Sequence, residues 1–305
     1  MIEKLTFLGQ PNCYRVSNGT IDLIVSTDVG PRILHCGFCG ADNMLGEYPD
    51  LSTPTALGDW KPWGGHRLWV APEEMPQSYA PDNSPIRFDI LGEHGIRLMQ
   101  PTDQASFEKQ ITVKLTQGGT QVSILHRLTN RNRSVVRIAP WAITILRGGG
   151  VTLIPQEPFR SHDDCLVPAR SVVLWYFTDL TDPRITLGRK FLRLRTDGER
   201  GHPQKIGVAN RQGWCAYHHE ATGTLLLKTF SYDEEAIYPD FGANVETYTA
   251  GDYMEVETLG PLQDLQPGAS TEHTERWHLF RDVKIGTTDD GIEAAIVPLL
   301  RATAS

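Results

Sequence analysis

Short segments in which apolar and polar side chains alternate every two residues recur along most of the 305-residue sequence. Many are rich in β-branched and aromatic residues, and Gly, Pro, Asn or Asp separates them, which is typical of strands joined by turns. Strands therefore dominate the predicted structure. The clearest ones are 20–26, 86–91, 110–116, 121–129, 135–145, 172–178, 191–195, 225–230, 253–259 and 274–281.

Many strands without intervening helices favour an all-β fold of packed antiparallel sheets over an alternating α/β fold. One helix is expected near the C-terminus, where Asp289 or Asp290 is suited to cap a short segment that ends before Pro298. The sequence has no internal repeat or low-complexity linker, and large β-sandwiches reach this length as one unit. We predict a single domain over residues 1–305, with 288–305 as a short peripheral segment.

Composition and charge exclude several classes of function. The net charge of -8 and the lack of a basic run argue against nucleic-acid binding, which needs clustered Lys and Arg. No segment is apolar enough for long enough to span a bilayer, and the first residues lack the apolar stretch of a signal peptide. Five cysteines form no disulfide framework, so we expect a cytoplasmic protein without nucleic-acid or membrane partners.

Metal and nucleotide sites lack their usual motifs. Cys36 and Cys39 have the CxxC spacing, but no second pair or matching His pair completes a zinc set. Adjacent residues such as His218 and His219 point to opposite faces of a strand, which hinders joint ligation. The sequence also contains no GxSxG elbow, P-loop or dinucleotide fingerprint. We therefore expect neither a metal nor a cofactor.

A Trp-rich segment at 60–69 is the first candidate for a binding surface. Indole rings such as those of Trp63 and Trp69 offer flat faces to the C–H face of a pyranose, while His66 and Arg67 can bind its hydroxyls. The alternative is a Trp-rich corner of the core that Arg67 caps. The Pro-rich stretch 72–85, which carries Glu73, follows as a long loop of the kind that often has a function.

The second candidate is the predicted strand 253–259. Alternation places Glu255 and Glu257 on the same face as Tyr253. The alternative is a solvated outer face, as half-exposed antiparallel strands often have. Lys205 and Glu246 form a third candidate, as polar loop residues that could converge on the same site.

Three segments carry a family resemblance: GGHRLWVAPE from Gly64, YPDFGANVE from Tyr238, and YMEVETLGPLQDLQPGAS followed by TERWHLF, from Tyr253. They resemble the galactose mutarotase-like superfamily, and more narrowly its DUF4380-type branch, over about residues 30–280. The resemblance implies a β-supersandwich with a sugar-binding cleft on its concave face.

The resemblance also implies roles for residues. In the aldose 1-epimerases of this superfamily, a Glu near the C-terminus is the base for the anomeric hydroxyl and a His protonates the ring oxygen. Glu257 matches the base by its position, and Glu255 could raise its pKa or bind a hydroxyl. Trp141 stands near the expected acid, and an indole cannot supply that proton. Either His66, as the candidate acid, or another donor takes that role, or the protein binds sugar without turning it over.

Three functions remain open from the sequence. The first is an aldose 1-epimerase-like enzyme in which Glu257 and His66 face each other across the cleft. The second is a sugar-binding or sensing domain without catalysis, which uses Trp63, Trp69, Trp141 and the carboxylates. The third is a lyase or hydrolase of an acidic polysaccharide, which would need a positively charged cleft. In each case the expected partner is a small-molecule sugar or an oligosaccharide.

Overall fold

The computed structural model describes residues 1–303, and strands form most of its regular structure. Within these residues, helical segments are confined to α1 (Pro239–Gly242) and α2 (Asp289–Thr303). The strands are β1 (Ile2–Phe7), β2 (Gln10–Ser17), β3 (Ile21–Ser26), β4 (Arg32–Phe38), β5 (Glu47–Tyr48), β6 (Thr53–Thr55), β7 (Gly58–Trp60), β8 (Trp63–Gly64), β9 (His66–Ala71), β10 (Arg87–Ile90), β11 (Gly95–Met99), β12 (Phe107–Leu115), β13 (Gln121–Asn130), β14 (Val136–Leu146), β15 (Gly150–Pro155), β16 (Val172–Leu174), β17 (Ile185–Leu187), β18 (Phe191–Arg195), β19 (Gln204–Val208), β20 (Trp214–His219), β21 (Thr224–Phe230), β22 (Val245–Ala250), β23 (Tyr253–Leu259), β24 (Gln263–Leu265) and β25 (Ser270–Phe280).

Two large antiparallel sheets make up the fold. The first sheet has eleven strands in the order β1-β2-β3-β4-β9-β14-β23-β22-β19-β16, with β24 paired to β14. The second sheet has ten strands in the order β10-β11-β12-β13-β25-β21-β20-β15-β18-β17. The main apolar core lies between them, with residues such as Ile33 and Val256 from the first sheet and Ile124 and Trp277 from the second. The predicted all-β class is confirmed.

Each of the ten predicted strands overlaps an observed strand, with one clear error of length. The strand predicted at 172–178 ends at Leu174, because Trp175 and Thr178 form a turn. In this turn the Thr178 amide donates to the Trp175 carbonyl at 2.9 Å, and the Trp175 amide donates to the Thr178 hydroxyl at 3.0 Å. The turn ends the strand, and Thr178 Oγ1 then donates to the carbonyl of Lys205 on β19 at 2.6 Å.

The C-terminal helix is longer than predicted. It begins at Asp289 and continues through Pro298 to Thr303. Thr288, rather than Asp289 or Asp290, caps it, because its Oγ1 accepts a hydrogen bond from the Gly291 amide at 3.2 Å. Ile292 and Ile296 are buried in a cluster that also contains residues of the second sheet. Burial of this apolar stripe offsets the single backbone hydrogen bond that a proline removes. No helix within residues 1–303 has the length and apolar character needed to cross a bilayer.

The register in the middle of the first sheet places the candidate residues. Trp141 on β14 lies opposite Trp69 on β9, and Ile143 lies opposite both Arg67 on β9 and Glu257 on β23. Directly opposed residues of paired strands share a face. Arg67, Trp69, Trp141 and Glu257 therefore lie on the outer face of the first sheet, the face turned away from the second sheet.

Candidate functional site

A cleft of about 620 Å³ opens on the outer face of the first sheet. Aromatic rings form much of its wall, and a few charged side chains point into it. A neighbouring recess of about 310 Å³ shares part of this wall and adds Asp240. The aromatic residues of the cleft are Trp60, Trp69, Tyr79, Trp141, Trp175, Phe177, Tyr248 and Tyr253, and the charged residues are Arg67, Glu73, Lys205 and Glu255.

Arg67 is held between two indole rings at one end of the cleft. Its guanidinium carbon lies 4.7 Å from the ring centroid of Trp60 and 4.5 Å from that of Trp69. Trp69 in turn packs edge-on against Trp141, with centroids 5.4 Å apart. The three indoles are almost fully buried, so the alternative expectation of a Trp-rich packed corner describes this part of the site well. The corner fixes the position of the arginine.

Lys205 holds the floor of the cleft together. Its Nζ lies 4.7 Å from the ring centroids of both Trp141 and Trp175. The same atom lies 2.8 Å from Glu246 Oε2 and 3.2 Å from Glu257 Oε2. Burial alone would lower the pKa of this lysine, but the two carboxylates more than offset burial and raise its pKa above the ordinary value. Lys205 therefore stays protonated at neutral pH.

Glu257 lies beneath Lys205 and Trp141 rather than in the open cleft. Its side chain has no exposed surface, and Oε2 accepts hydrogen bonds from Trp141 Nε1 at 2.7 Å and from Lys205 Nζ. Its Oε1 is buried without a hydrogen-bond partner in the described chain. Glu246 is equally buried, and burial raises its pKa well above the usual range. Both carboxylates face Lys205, and neither of them lines the open cleft.

Glu255 is the carboxyl group of β23 that opens to the cleft, with 13 % of its side chain exposed. Its Oε1 accepts a hydrogen bond from the Tyr253 hydroxyl at 2.7 Å and lies 3.5 Å from Arg67 Nη2. Burial, and then the neighbouring Glu257 carboxylate, raises the pKa of Glu255 to about 7.

The Pro-rich stretch 72–85 supplies another part of the cleft wall, where the Tyr79 ring packs edge-on against Trp69 with centroids 4.7 Å apart. Tyr79 donates a hydrogen bond from its hydroxyl to Glu73 Oε1 at 2.5 Å, and both side chains line the cleft. Burial, and then this bond, raises the pKa of Tyr79. The recess beyond them contains Asp240, whose backbone is left-handed with φ at 47°. Asp tolerates this conformation better than most residues.

His66 does not face the cleft, and the expectation that it lies across from Glu257 is not met. It neighbours Arg67 on β9, so its side chain points to the opposite face, into the space between the sheets. There its Nε2 lies 2.7 Å from His126 Nε2 and its Nδ1 lies 2.8 Å from Thr144 Oγ1. The ring has no exposed surface, and burial lowers its pKa well below the usual value.

The hydrogen bonds around His66 fit neutral imidazole rings for His66 and His126. His126 Nδ1 lies 3.0 Å from the carbonyl of His273, which can only accept, so Nδ1 donates, and in a neutral ring His126 Nε2 accepts from His66 Nε2–H. Lys228 Nζ donates to Thr144 Oγ1 at 2.6 Å, which leaves the threonine proton for His66 Nδ1. The chain of donors and acceptors closes with both imidazoles uncharged.

Glu275 completes this buried network. Its Oε1 accepts from Lys228 Nζ at 3.0 Å and from Thr258 Oγ1 at 2.7 Å, and its Oε2 accepts from Trp277 Nε1 at 2.7 Å. His66, His126 and Glu275 have the side chains that metals prefer and lie close together. Their nitrogen and oxygen atoms are, however, already engaged, since the two imidazoles contact each other through Nε2 and both oxygens of Glu275 accept hydrogen bonds. We interpret the group as a structural network between the sheets.

Trp63 also lies outside the cleft wall. Its indole Nε1 donates to Asn83 Oδ1 at 3.1 Å, and its ring packs beside Ile24 and Leu34. Lys205 and Glu246 were expected on loops but lie on β19 and β22, where paired strands fix their directions. Of the predicted site residues, Arg67, Trp69, Glu73, Trp141, Lys205 and Glu255 line the cleft, while Glu246 and Glu257 lie beneath it.

Sequence reasoning missed four aromatic residues of the wall: Tyr79, Trp175, Phe177 and Tyr248. Tyr248 had a signal, because it follows Glu246 by two residues on the same strand and therefore shares its face. Trp175 had none, since it belongs to the turn after β16 and reaches the cleft through tertiary packing.

No family model and no curated protein matches the sequence. Solved structures do match its fold. They include a candidate aldose 1-epimerase from Klebsiella pneumoniae (11 % identity, TM-score 0.59, 98 % of this chain and 86 % of that one). Another is a galactose mutarotase-like protein from Clostridium acetobutylicum (9 % identity, TM-score 0.55, 92 % of this chain and 98 % of that one). A third is a galactose mutarotase related enzyme from Lactobacillus acidophilus (8 % identity, TM-score 0.53, 91 % of this chain and 98 % of that one).

Identities this low show the fold alone. The chain has the galactose mutarotase-like β-sandwich fold, as the sequence resemblance implied. Its place in the DUF4380-type branch stays a prediction.

Proposed function

We propose that the cleft binds a pyranose sugar and exchanges its anomers, as an aldose 1-epimerase does. The observation that supports this most is the cleft itself, in which aromatic rings and the polar groups of Arg67, Glu255 and Lys205 converge within about 620 Å³. Clefts with apolar walls and a few convergent polar groups are typical small-molecule sites. Neighbours of the same fold are described as galactose mutarotase-like proteins.

The exposed rings fit a sugar. Trp175, Tyr79 and Tyr248 are only partly buried, so their faces can pack against the C–H face of a pyranose. The carboxyls of Glu73 and Glu255, which both line the cleft, can accept hydrogen bonds from its hydroxyls.

The charges favour a neutral sugar over an acidic one. Among the described residues that line the cleft, the cations Arg67 and Lys205 both already lie close to carboxylates. Binding of a phosphate or a uronate needs cations that are free to pair with it. This arrangement gives little support to a lyase or hydrolase of acidic polysaccharides.

Anomer exchange makes modest demands on such a cleft. A proton leaves the anomeric hydroxyl, the bond between C1 and the ring oxygen breaks, and the ring oxygen takes a proton. Rotation about C1–C2 and reclosure then give the other anomer. Positioned proton transfer of this kind needs a side chain within hydrogen-bond reach of the sugar and a pKa near the working pH.

The test measures binding and turnover together. Calorimetry would give the affinity for neutral aldoses, and NMR of freshly dissolved sugar would give the exchange rate with and without protein. We expect saturable binding and faster exchange. Trp175→Ala should weaken binding, whereas the neighbouring Tyr176→Ala, which removes a fully exposed ring, should not. Failure to bind any neutral aldose would contradict the proposal.

A second function, sugar recognition without turnover, is favoured by one contact. In the epimerases that the sequence resembles, a histidine supplies the acid. By that resemblance Trp141 stands near the acid position, and it donates to Glu257 at 2.7 Å. An indole N–H cannot protonate a ring oxygen. Saturable binding without any acceleration of exchange would support this function instead.

A further inference from the structure

We propose that Glu255 is the residue that takes and returns the anomeric proton, while Glu257 is a positioning residue that holds Lys205 and Trp141. This inference rests on the proposed function and concerns the same cleft. It differs from the role that the sequence resemblance implies, in which Glu257 would be the base.

The carboxyl groups of the site differ in whether a ligand in the cleft can reach them. Glu246 and Glu257 have no exposed surface, and their oxygens without hydrogen bonds are fully buried. Glu255 is partly exposed, and the hydrogen bond from Tyr253 and the contact with Arg67 both involve its Oε1. Its Oε2 has no hydrogen-bond partner in the described chain. Unlike the unpartnered oxygens of Glu246 and Glu257, this oxygen is not fully buried. This oxygen is therefore free to contact a ligand.

The surroundings of Glu255 hold the group in one orientation. Arg67 is fixed between Trp60 and Trp69, and its Nη2 lies 3.5 Å from Glu255 Oε1. The Tyr253 ring packs against Tyr48, with centroids 5.0 Å apart, and its hydroxyl donates to the same Oε1. Because one oxygen is held by these two groups, the other points into the cleft.

Proton affinity supports the same assignment. A carboxyl group with a pKa of about 7 can accept and release a proton at neutral pH, as a general base must. Lys205 is raised in pKa by its two carboxylate partners and stays protonated, so it serves as a fixed positive charge. One oxygen of Glu257 accepts hydrogen bonds from Lys205 and Trp141, and the other is buried where it cannot contact a ligand in the cleft.

Each bond that forms during ring opening is matched by a bond that breaks. Glu255 Oε2 takes the proton of the anomeric hydroxyl, and the O–H electron pair becomes the second bond of the C1 carbonyl. The bond from C1 to the ring oxygen breaks, its electron pair goes to the ring oxygen, and a cleft water that solvent reprotonates supplies the proton there. Reclosure on the other face of C1 reverses each transfer, and Glu255 gives its proton back.

The experiment compares Glu255→Gln with Glu257→Gln across a pH range centred on neutrality. Exchange rate is measured by NMR and sugar affinity by calorimetry, with Glu272→Gln, an exposed glutamate, as the matched control. We expect Glu255→Gln to lose about 100-fold or more in rate, together with the rise in rate near pH 7, while it still binds sugar. Glu257→Gln should keep that pH dependence, and Glu272→Gln should behave like the unaltered protein.

Two outcomes would overturn the inference in different ways. If Glu257→Gln loses the rate and its pH dependence while Glu255→Gln keeps both, Glu257 is the base and only this inference fails. If the unaltered protein binds sugar without accelerating exchange, the proposed exchange fails, and the role of Glu255 in it fails as well. Should Glu255→Gln not fold, Glu255→Asp keeps the carboxyl group one methylene shorter, and a reduced rate with the same pH dependence is expected.

Discussion

Trp141 Nε1 donates a hydrogen bond to Glu257 Oε2 at 2.7 Å, and neither side chain has appreciable exposed surface. A buried carboxylate needs hydrogen-bond donors, because each one that is removed leaves the desolvation of the charge less compensated. This bond therefore joins the aromatic wall of the cleft to the charged layer under it.

Trp141→Phe should destabilise the protein by about 1–3 kcal/mol, since it removes a donor from a buried carboxylate and keeps most of the ring. Denaturant unfolding of the single variant gives this cost. The control is the same substitution in a Glu257→Gln background, where the loss should be clearly smaller because the charge is gone. An equal loss in both backgrounds would mean that the indole acts through packing alone.

Lys205→Met should cost about 3–5 kcal/mol, because Glu246 and Glu257 would lose their common cation inside the protein. Lys190 offers a matched control, since it also pairs with two carboxylates, Asp290 and Glu293, but at the surface. Lys190→Met should leave the unfolding midpoint nearly unchanged, because water already screens exposed pairs. Similar midpoints for the two variants would contradict the role given to Lys205.

The sequence predicted the strands well because two-residue alternation is a local signal. The same alternation placed Glu255 and Glu257 on one face, and both do lie on the outer face of the first sheet. Applied to β9, it also separates His66 from Arg67 and Trp69. The sequence interpretation grouped all three because they are close in sequence. It was therefore wrong to place His66 on the cleft face with Arg67 and Trp69.

Other parts of the site depend on pairing between distant strands. Lys205 was assigned to a loop because β19 is buried on both faces and its sequence shows no alternation. Its two partners come from β22 and β23, about 40 and 50 residues further along the chain. Trp175 and Asp240 come from a turn and from α1, whose positions are set by tertiary packing. Such relationships require the sheet order.

Acid should destabilise the protein through the network between the sheets. Burial lowers the pKa of His66 and of His126, and it lowers that of His273 to about 3. Below the ordinary value of 6.5 the unfolded chain takes up protons that the folded chain does not, so stability should fall steadily as the pH drops from about 6.5 towards 3. Glu275, whose pKa is lowered in the folded protein, adds to the loss below its ordinary value of 4.5.

Thermal unfolding at a series of pH values measures this effect. His162 provides the control, because its side chain is almost fully exposed, and His162→Gln should leave the profile unchanged. His126→Gln should flatten the profile between neutral pH and about pH 5, since one titrating ring is lost from the network. A profile that is already flat in the unaltered protein would show that the rings do not stay neutral when buried.

Tyr253→Phe should raise the pKa of Glu255 further above about 7, because the tyrosine hydroxyl stabilises the ionised carboxylate by donating to it. Titration of the glutamate carboxyl carbons by ¹³C NMR measures this directly and does not depend on any catalytic activity. The resonance assigned to Glu255 is the one that Glu255→Gln removes. Tyr14→Phe, which alters a ring packed on Phe88 elsewhere in the first sheet, is the control and should leave that titration in place. A midpoint that moves downward in Tyr253→Phe would mean that the hydroxyl does not serve as a donor to Glu255.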